Sequence, residues 1–250
     1  MRLRYITMSD PREDLPIAET LELLKLSPLA ELGVQAHPSA MMFGLKRNAW
    51  FNNLIDSLED SGEMLNVALH INYQWCDDMC NNIIPYEVQN WLNRKNKKTG
   101  EPIIKRIQLN IGDGAYLFRP DKASRMISRF PDREFILPYN ERVAPKMEAL
   151  RKTGVKFNLL YDASYGAGVA PKTYKAPVWD NVNFGYAGGL SIDNVVSNLN
   201  KINSVLPPDY STWIDAEGRL RSGMHGGLDL AKARTYLQNA LAWQKKNQTR

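Results

Sequence analysis

The part of this chain that most restricts its fold runs from Asn183 to Arg221, NFGYAGGLSIDNVVSNLNKINSVLPPDYSTWIDAEGRLR. It reads as strand, Gly-Gly turn, helix, strand, Gly turn. Residues 183–187 form a short strand with two aromatics. Gly188 and Gly189 permit a tight turn whose backbone N–H groups face outward. Ser191 or Asp193 can cap the next helix, where apolar residues recur at Val195, Val196, Leu199, Ile202 and Val205. Pro207-Pro208 stops that helix. Residues 212–215 make the following strand, and Glu217-Gly218-Arg219 closes it. Two successive strand ends that close on glycine form an anion cradle of backbone amides beside a helix N-terminus. In a (β/α)8 barrel the loops after strands 7 and 8 commonly hold a substrate phosphate. Such a barrel requires six strands upstream.

The chain supplies them. Strand-like runs at 3–7, 31–36, 65–71, 104–111, 134–139 and 156–161 alternate with helical segments, and residues 228–244 make a closing helix. A doubly wound open sheet is the competing architecture. Eight strand-helix units in 250 residues, with the Gly-Gly turn at the seventh, favour the closed form. The expectation is an α/β chain forming a single (β/α)8 TIM barrel over residues 1–250, with no boundary inside it. The long Gly- and Pro-rich segment after strand 6, DASYGAGVAPKTYKAPVWD, is a functional loop or lid.

Charge and cysteine content narrow the class. The formal net charge of +5 is diffuse, and its densest run, RKNKK at 94–98, sits beside Thr99-Gly100 and reads as a solvated loop. That disfavours nucleic acid as a partner and leaves an anionic small molecule as the ligand. Cys76 and Cys80 are the only cysteines, which fits a reducing compartment. No apolar run has membrane-helix length, and the N-terminus lacks a signal-peptide core. A cytoplasmic protein without a membrane partner is expected.

Several segments resemble phosphoribosylanthranilate isomerases. AGGLSIDNV, from Ala187 to Val195, is similar to that family's Gly-Gly-Leu-x-x-x-Asn-Val segment after the seventh strand. TWIDAEGRLR stands where the family has a strand-8 Asp and a small phosphate-contacting loop. LLYDAS followed by GAG at 166–168 resembles its strand-6 segment, and IQLN at 107–110 its strand-4 segment. The likeness lies mainly in the last 100 residues. It implies a ribulose-phosphate-binding type of barrel, a phosphorylated sugar ligand and an Amadori-type aldose-ketose isomerisation. The family carries a catalytic Cys at the end of strand 1, whereas RYITMSD has none. Asp10, three residues beyond the expected strand, is the candidate base in its place, and Asp162 matches the family's general acid.

The remaining candidates follow from strand alternation. An enolising isomerisation needs one group to take a proton from carbon and another to give one to oxygen. Asp162 and Asp10 are assigned these roles; their structural alternatives are an Asx turn at Asp162 and the SDPRED turn at Asp10. Phosphate is expected at Gly188, Gly189, Gly218 and Arg219. His37 follows strand 2; His70 and Asn72, and Gln108 and Asn110, are pairs two residues apart that face one side of their strands. Together they suggest a polar pocket, with Arg47 available for a second anionic group. Trp50, Trp75 and Trp179 either stack on a ligand ring or anchor helices. The three His residues are not spaced as a metal set, and Cys76 and Cys80, four apart, make neither a redox pair nor a zinc site. No metal and no cofactor are expected. Two functions remain: a phosphosugar isomerase, or a non-catalytic barrel that sequesters a phosphorylated ligand such as a nucleotide.

Overall fold

The computed structural model describes residues 1–112, 118–162, 164 and 167–248. In chain order the elements are β1 (Arg2–Ser9), α1 (Ile17–Lys25), β2 (Ala30–Ala36), α2 (Pro38–Met41), α3 (Lys46–Ser61), β3 (Asn66–Ile71), α4 (Tyr73–Cys80) and α5 (Tyr86–Leu92). They continue with β4 (Ile104–Leu109), α6 (Pro120–Ser128), β5 (Glu134–Tyr139), α7 (Ala144–Arg151), β6 (Asn158–Tyr161), β7 (Phe184–Tyr186), α8 (Val195–Val205), β8 (Ser211–Ala216) and α9 (Leu230–Gln248). Neighbouring strands are parallel, and β8 pairs back onto β1 with Thr7 opposite Asp215, so the sheet closes as a (β/α)8 barrel. The expected open-sheet alternative is excluded by that closure.

Strand alternation sorts the side chains into two cores. One set packs outward against the helices: Leu32 and Val34 of β2, Val67 and Leu69 of β3, Ile107 and Leu109 of β4, Phe135 and Leu137 of β5. These join Phe51, Leu54, Met126, Leu199 and Leu237 of the helices in one large cluster. The other set faces the barrel axis. There Ile136, Leu160, Ala187 and Trp213 form a second small cluster, with Tyr5 against it. Two glycines create space on this face, Gly185 for Trp213 and Gly33 for Ser9 and His70. A Cβ on Gly185 would lie 2.1 Å from Cε2 of Trp213, and one on Gly33 would lie 2.2 Å from Oγ of Ser9.

The axial face is chemically divided. β5, β6 and β7 give it Ile136, Leu160 and Ala187, whereas β1, β2, β3, β4 and β8 give it polar groups. Arg106 of β4 is buried beside Glu31 of β2, with which it forms an ion pair, and its Nε reaches Glu134 at 3.2 Å. Its guanidinium carbon lies 4.1 Å from the Tyr5 ring centre and 4.8 Å from that of Trp213. Thr7 donates to Glu31 at 2.6 Å. This buried charge cluster fills the axis below the level of Ser9 and Asp215.

Two local expectations are corrected. β1 extends to Ser9, because Met8 is fully buried in the outer cluster and Ser9 bonds to Asp215 of the adjacent β8. Asp10 therefore follows the strand directly, its N–H still bonded to the Gly33 carbonyl at 3.0 Å. α8 begins behind Asn194 rather than behind Ser191 or Asp193: the Asn194 amide accepts from the Ser191 N–H and donates to the Gly189 carbonyl. α3 begins at Lys46, which places Arg47 in its first turn. The basic run at 94–98 is a loop with its lysines exposed, as expected, and it pairs with α3 through Arg94 to Asp56 and Glu59 and Lys97 to Asp60 at 2.7 Å.

Arg106→Met leaves Glu31 buried without its cation. Urea unfolding should show a loss of about 3–5 kcal/mol. The double variant Arg106→Met/Glu31→Leu should recover part of that loss, since it removes both charges together.

Candidate functional site

A pocket of about 830 Å³ opens at the C-terminal ends of the strands. Every site residue expected from the sequence lines it except His70. His70 lies deeper: its ring sits beside Ser9 at the space that Gly33 leaves, buried at 2% exposure. Burial pushes its imidazole down to about 4, and its Nδ1 has no hydrogen-bond partner. It is a neutral group under the pocket floor. Gly166 lies outside the described residues.

One side of the pocket is the pair of glycine turns. Gly188 and Gly189 both have positive φ, 99° and 62°, which only glycine adopts without cost. They are also crowded. A Cβ on Gly188 would lie 2.9 Å from Oδ1 of Asp162, and one on Gly189 would lie 2.3 Å from the backbone N of Ala170. The loop after β6 thus lies against the Gly-Gly turn. After β8, Gly218–Leu220 make a short 3-10 turn, with open space around the Gly218 Cα. Asp162 joins the two regions: Ser164 donates to its Oδ1 from N–H at 2.9 Å and from Oγ at 2.7 Å. The Asx-turn geometry anticipated at Asp162 is present, at a carboxyl that also lines the pocket.

The adjoining side, above β8, β1 and β2, is cationic. Asp10 adopts φ 70°, and its carboxylate meets three guanidiniums: Arg12 at 3.3 Å, Arg47 at 3.7 Å and Arg221 at 3.0 Å. Arg12 also donates to the His225 carbonyl and ties down the 222–227 loop. His37 stands beside them, its ring edge-on to Tyr73 at 5.4 Å. Burial and the Arg47 charge hold its imidazole below the ordinary range. Tyr73, with φ 52°, is 73% exposed at the pocket mouth. The three Trp residues do not line the pocket. Trp50 is buried and donates to the Leu15 carbonyl, Trp75 packs on Trp91, and Trp179 packs on Tyr139 and Phe157. Cys76 and Cys80 are buried on α4, and the contact with Cys80 together with burial raises the Cys76 thiol.

The floor between these sides holds two carboxyls that sequence reasoning did not select. Asp215 and Glu217 alternate along β8 and its extension, so both face the axis. Burial pushes Asp215 up to about 7; the Ser9 hydroxyl, which donates to it at 2.7 Å, acts in the opposite direction. Glu217 is also pushed up to about 7, by burial first and then by Asp215 and Asp10, against the pull of Arg221. The signal was present in WIDAEG: two acids spaced by two at the end of a barrel strand must share the inward face. Among the described residues no group of three His, Cys, Asp or Glu is arranged to hold a metal ion. None of their helices is long and apolar enough to cross a membrane.

Closed topology and a polar rim at the strand C-termini define a (β/α)8 barrel with a concave pocket at that end. No protein-family model matches the chain, and no curated protein matches its sequence. Among solved structures it is similar to the mutually generated monomers of dimeric phosphoribosylanthranilate isomerase from Thermotoga maritima. The TM-score is 0.53 over 95% of this chain and 98% of that one, at 12% identity. That is a distant structural likeness, and it establishes the shared fold.

The raised Asp215 carboxyl makes a signed prediction. Its folded value of about 7 exceeds the ordinary 3.8, so the folded state favours the protonated form. The stability this contributes is fully present below about pH 4 and is lost as pH rises through about 7. Unfolding free energies of wild type and Asp215→Asn should therefore diverge across that window. Wild type should lose on the order of 2–4 kcal/mol relative to the variant, and a pH-independent difference would refute the assignment.

Proposed function

We propose that this protein is a phosphosugar isomerase that interconverts an aldose and a ketose form, with the phosphate at Gly188, Gly189, Gly218 and Arg219. One observation carries the reading. A single pocket joins two glycine turns after β7 and β8 to a floor of carboxyls, two of which titrate near neutrality. Backbone amides at such turns bind a phosphate without a cationic side chain directed at every oxygen. Carboxyls held near pH 7 can both take and return a proton, which enolisation requires. The likeness to phosphoribosylanthranilate isomerase segments and structure supports the same reaction class. Asp162 is cast as the acid because it sits against Gly188, where the sugar end of the ligand would meet the phosphate turn. Asp10, the base offered by the sequence, has both oxygens engaged by arginines. It fits better as the anchor that arranges Arg12, Arg47 and Arg221 around a ligand's second polar end.

A second reading, a barrel that sequesters a nucleotide-like ligand, draws on the open Tyr73 ring and the arginines near it. Its mark would be release of a bound phosphorylated aromatic compound unchanged after incubation.

Gly189 is a poor place to test the phosphate site, since a side chain there would strike backbone of the β6 loop. Arg219→Gln spares the fold, and calorimetry should show inorganic phosphate binding weakened by roughly tenfold or more. Unchanged affinity would locate the phosphate elsewhere. Asp162→Asn should lower turnover by at least about 10²-fold, as expected for loss of a general acid. If Asp162 served only as a turn, the same change should cost roughly 1 kcal/mol of stability and leave turnover nearly intact.

A further inference from the structure

Four side-chain amides on three neighbouring strands form one hydrogen-bonded chain around the rim. Gln108 Nε2 donates to Asn110 Oδ1 at 2.9 Å, and Asn110 Nδ2 donates to Asn72 Oδ1 at 2.8 Å. Asn72 Nδ2 donates to Gln35 Oε1 at 2.6 Å, and Gln35 Nε2 donates to Glu217 Oε2 at 2.7 Å. Gln108 starts the chain, and Asn110, Asn72 and Gln35 each receive from one neighbour and give to the next, so the dipoles run in one sense and end on one carboxylate. Bonds aligned this way polarise one another. On its other side, Glu217 Oε1 accepts from Arg221 at 2.5 Å, which fixes the carboxylate plane from two directions.

We propose that Glu217 is the base that takes the substrate proton, and that Gln35, Asn72, Asn110 and Gln108 are positioning residues that hold it toward the pocket. The assignment rests on the isomerase reading above and replaces Asp10 in it. Reach separates the carboxyls. The Glu217 side chain keeps 39% of its surface open, whereas that of Asp10 keeps 4% and is surrounded by guanidiniums. Asp215 is 8% exposed and takes the Ser9 hydroxyl. Asp162 follows β6, two strands from β8, and lines the same pocket, where it can serve the carbonyl oxygen of the same substrate.

The step balances without a co-reactant. The C–H bond beside the carbonyl breaks, and its proton goes to Glu217. The electron pair forms the carbon–carbon double bond of an enediol, and the carbonyl oxygen takes a proton from Asp162. Glu217 then returns its proton to the former carbonyl carbon, while the neighbouring hydroxyl gives its proton back to Asp162. Charged groups around Glu217 set its basicity: Arg221 on its own segment, Asp215 on β8, and Asp10 on β1 with Arg12 and Arg47 behind it. β2 contributes the neutral Gln35. Burial and the two aspartates hold the carboxyl near neutrality, where a base is most effective.

The test follows incorporation of solvent deuterium by proton NMR, with ribose 5-phosphate, glucose 6-phosphate and phosphoribosylanthranilate as probes. Glu217→Gln should lower exchange by at least about 10²-fold while its thermal melt stays close to wild type. Gln35→Leu removes a donor to the ionised form, so the midpoint of the pH–exchange profile should move upward. Wild-type exchange retained in a folded Glu217→Gln protein would overturn the base assignment and leave the isomerase reading standing. An unmoved midpoint in Gln35→Leu would overturn the positioning chain. No exchange by the wild type with any probe would overturn the isomerase reading itself, and the base assignment with it.

Discussion

Everything at the rim is stacked on a buried ion pair. Arg106 and Glu31 sit inside the barrel between the Tyr5 and Trp213 rings, at exposures of 2% and 1%. A guanidinium in such a place is strongly destabilising unless its partners are fixed, and here Glu134 and Thr7 add to the pair, leaving Arg106 Nη2 and Glu31 Oε2 without a hydrogen bond. The next level up, on β1, β3 and β8, is Ser9, His70 and Asp215. The level above that is Gln35, Asn72, Asn110 and Glu217. Because inward residues alternate by two along each strand, a register fixed at Arg106 and Glu31 also fixes which side chains reach the pocket.

This layering explains the asymmetry of the site. The strands with polar interiors are β8 and β1 to β4, and they supply the carboxyls, the amide chain and the arginines. The strands with apolar interiors are β5 to β7, and they supply the Gly188-Gly189 turn, Asp162 and the loop that lies on Gly189, while the Gly218-Arg219 turn follows β8. A phosphorylated ligand spanning both halves would place its phosphate on backbone and its reacting carbons among the acids. That division follows from chemistry: backbone amides suit a fixed dianion, whereas proton transfer needs side chains whose charge can change.

Much of the fold was legible because this barrel is unusual in its interior. Parallel strands buried on both faces ordinarily read as continuous apolar runs. Here ELGVQA and IKRIQL alternate, since Glu31, Gln35, Arg106 and Gln108 face the axis. The strands were therefore visible, and so were the Gly-Gly and Gly-Arg turns. What stayed hidden depended on partners distant in sequence. Nothing near Asp10 announces that Arg47 and Arg221 converge on it. His70 looked like a rim residue by its spacing from Asn72, yet the missing side chain of Gly33 lets its ring sink beneath Ser9. The basicity of Glu217 arises from burial and two aspartates, and only closure of β8 onto β1 brings Asp10 to its side.

In the proposed site the glycine turns, and not the arginine cluster, hold the ligand's phosphate. A crystal structure of the wild-type protein grown with inorganic phosphate distinguishes the two. One phosphate is expected between Gly188-Gly189 and Gly218-Arg219, bonded by backbone N–H groups of both turns. A phosphate seated on Arg12, Arg47 and Arg221, with the glycine turns vacant, would contradict it.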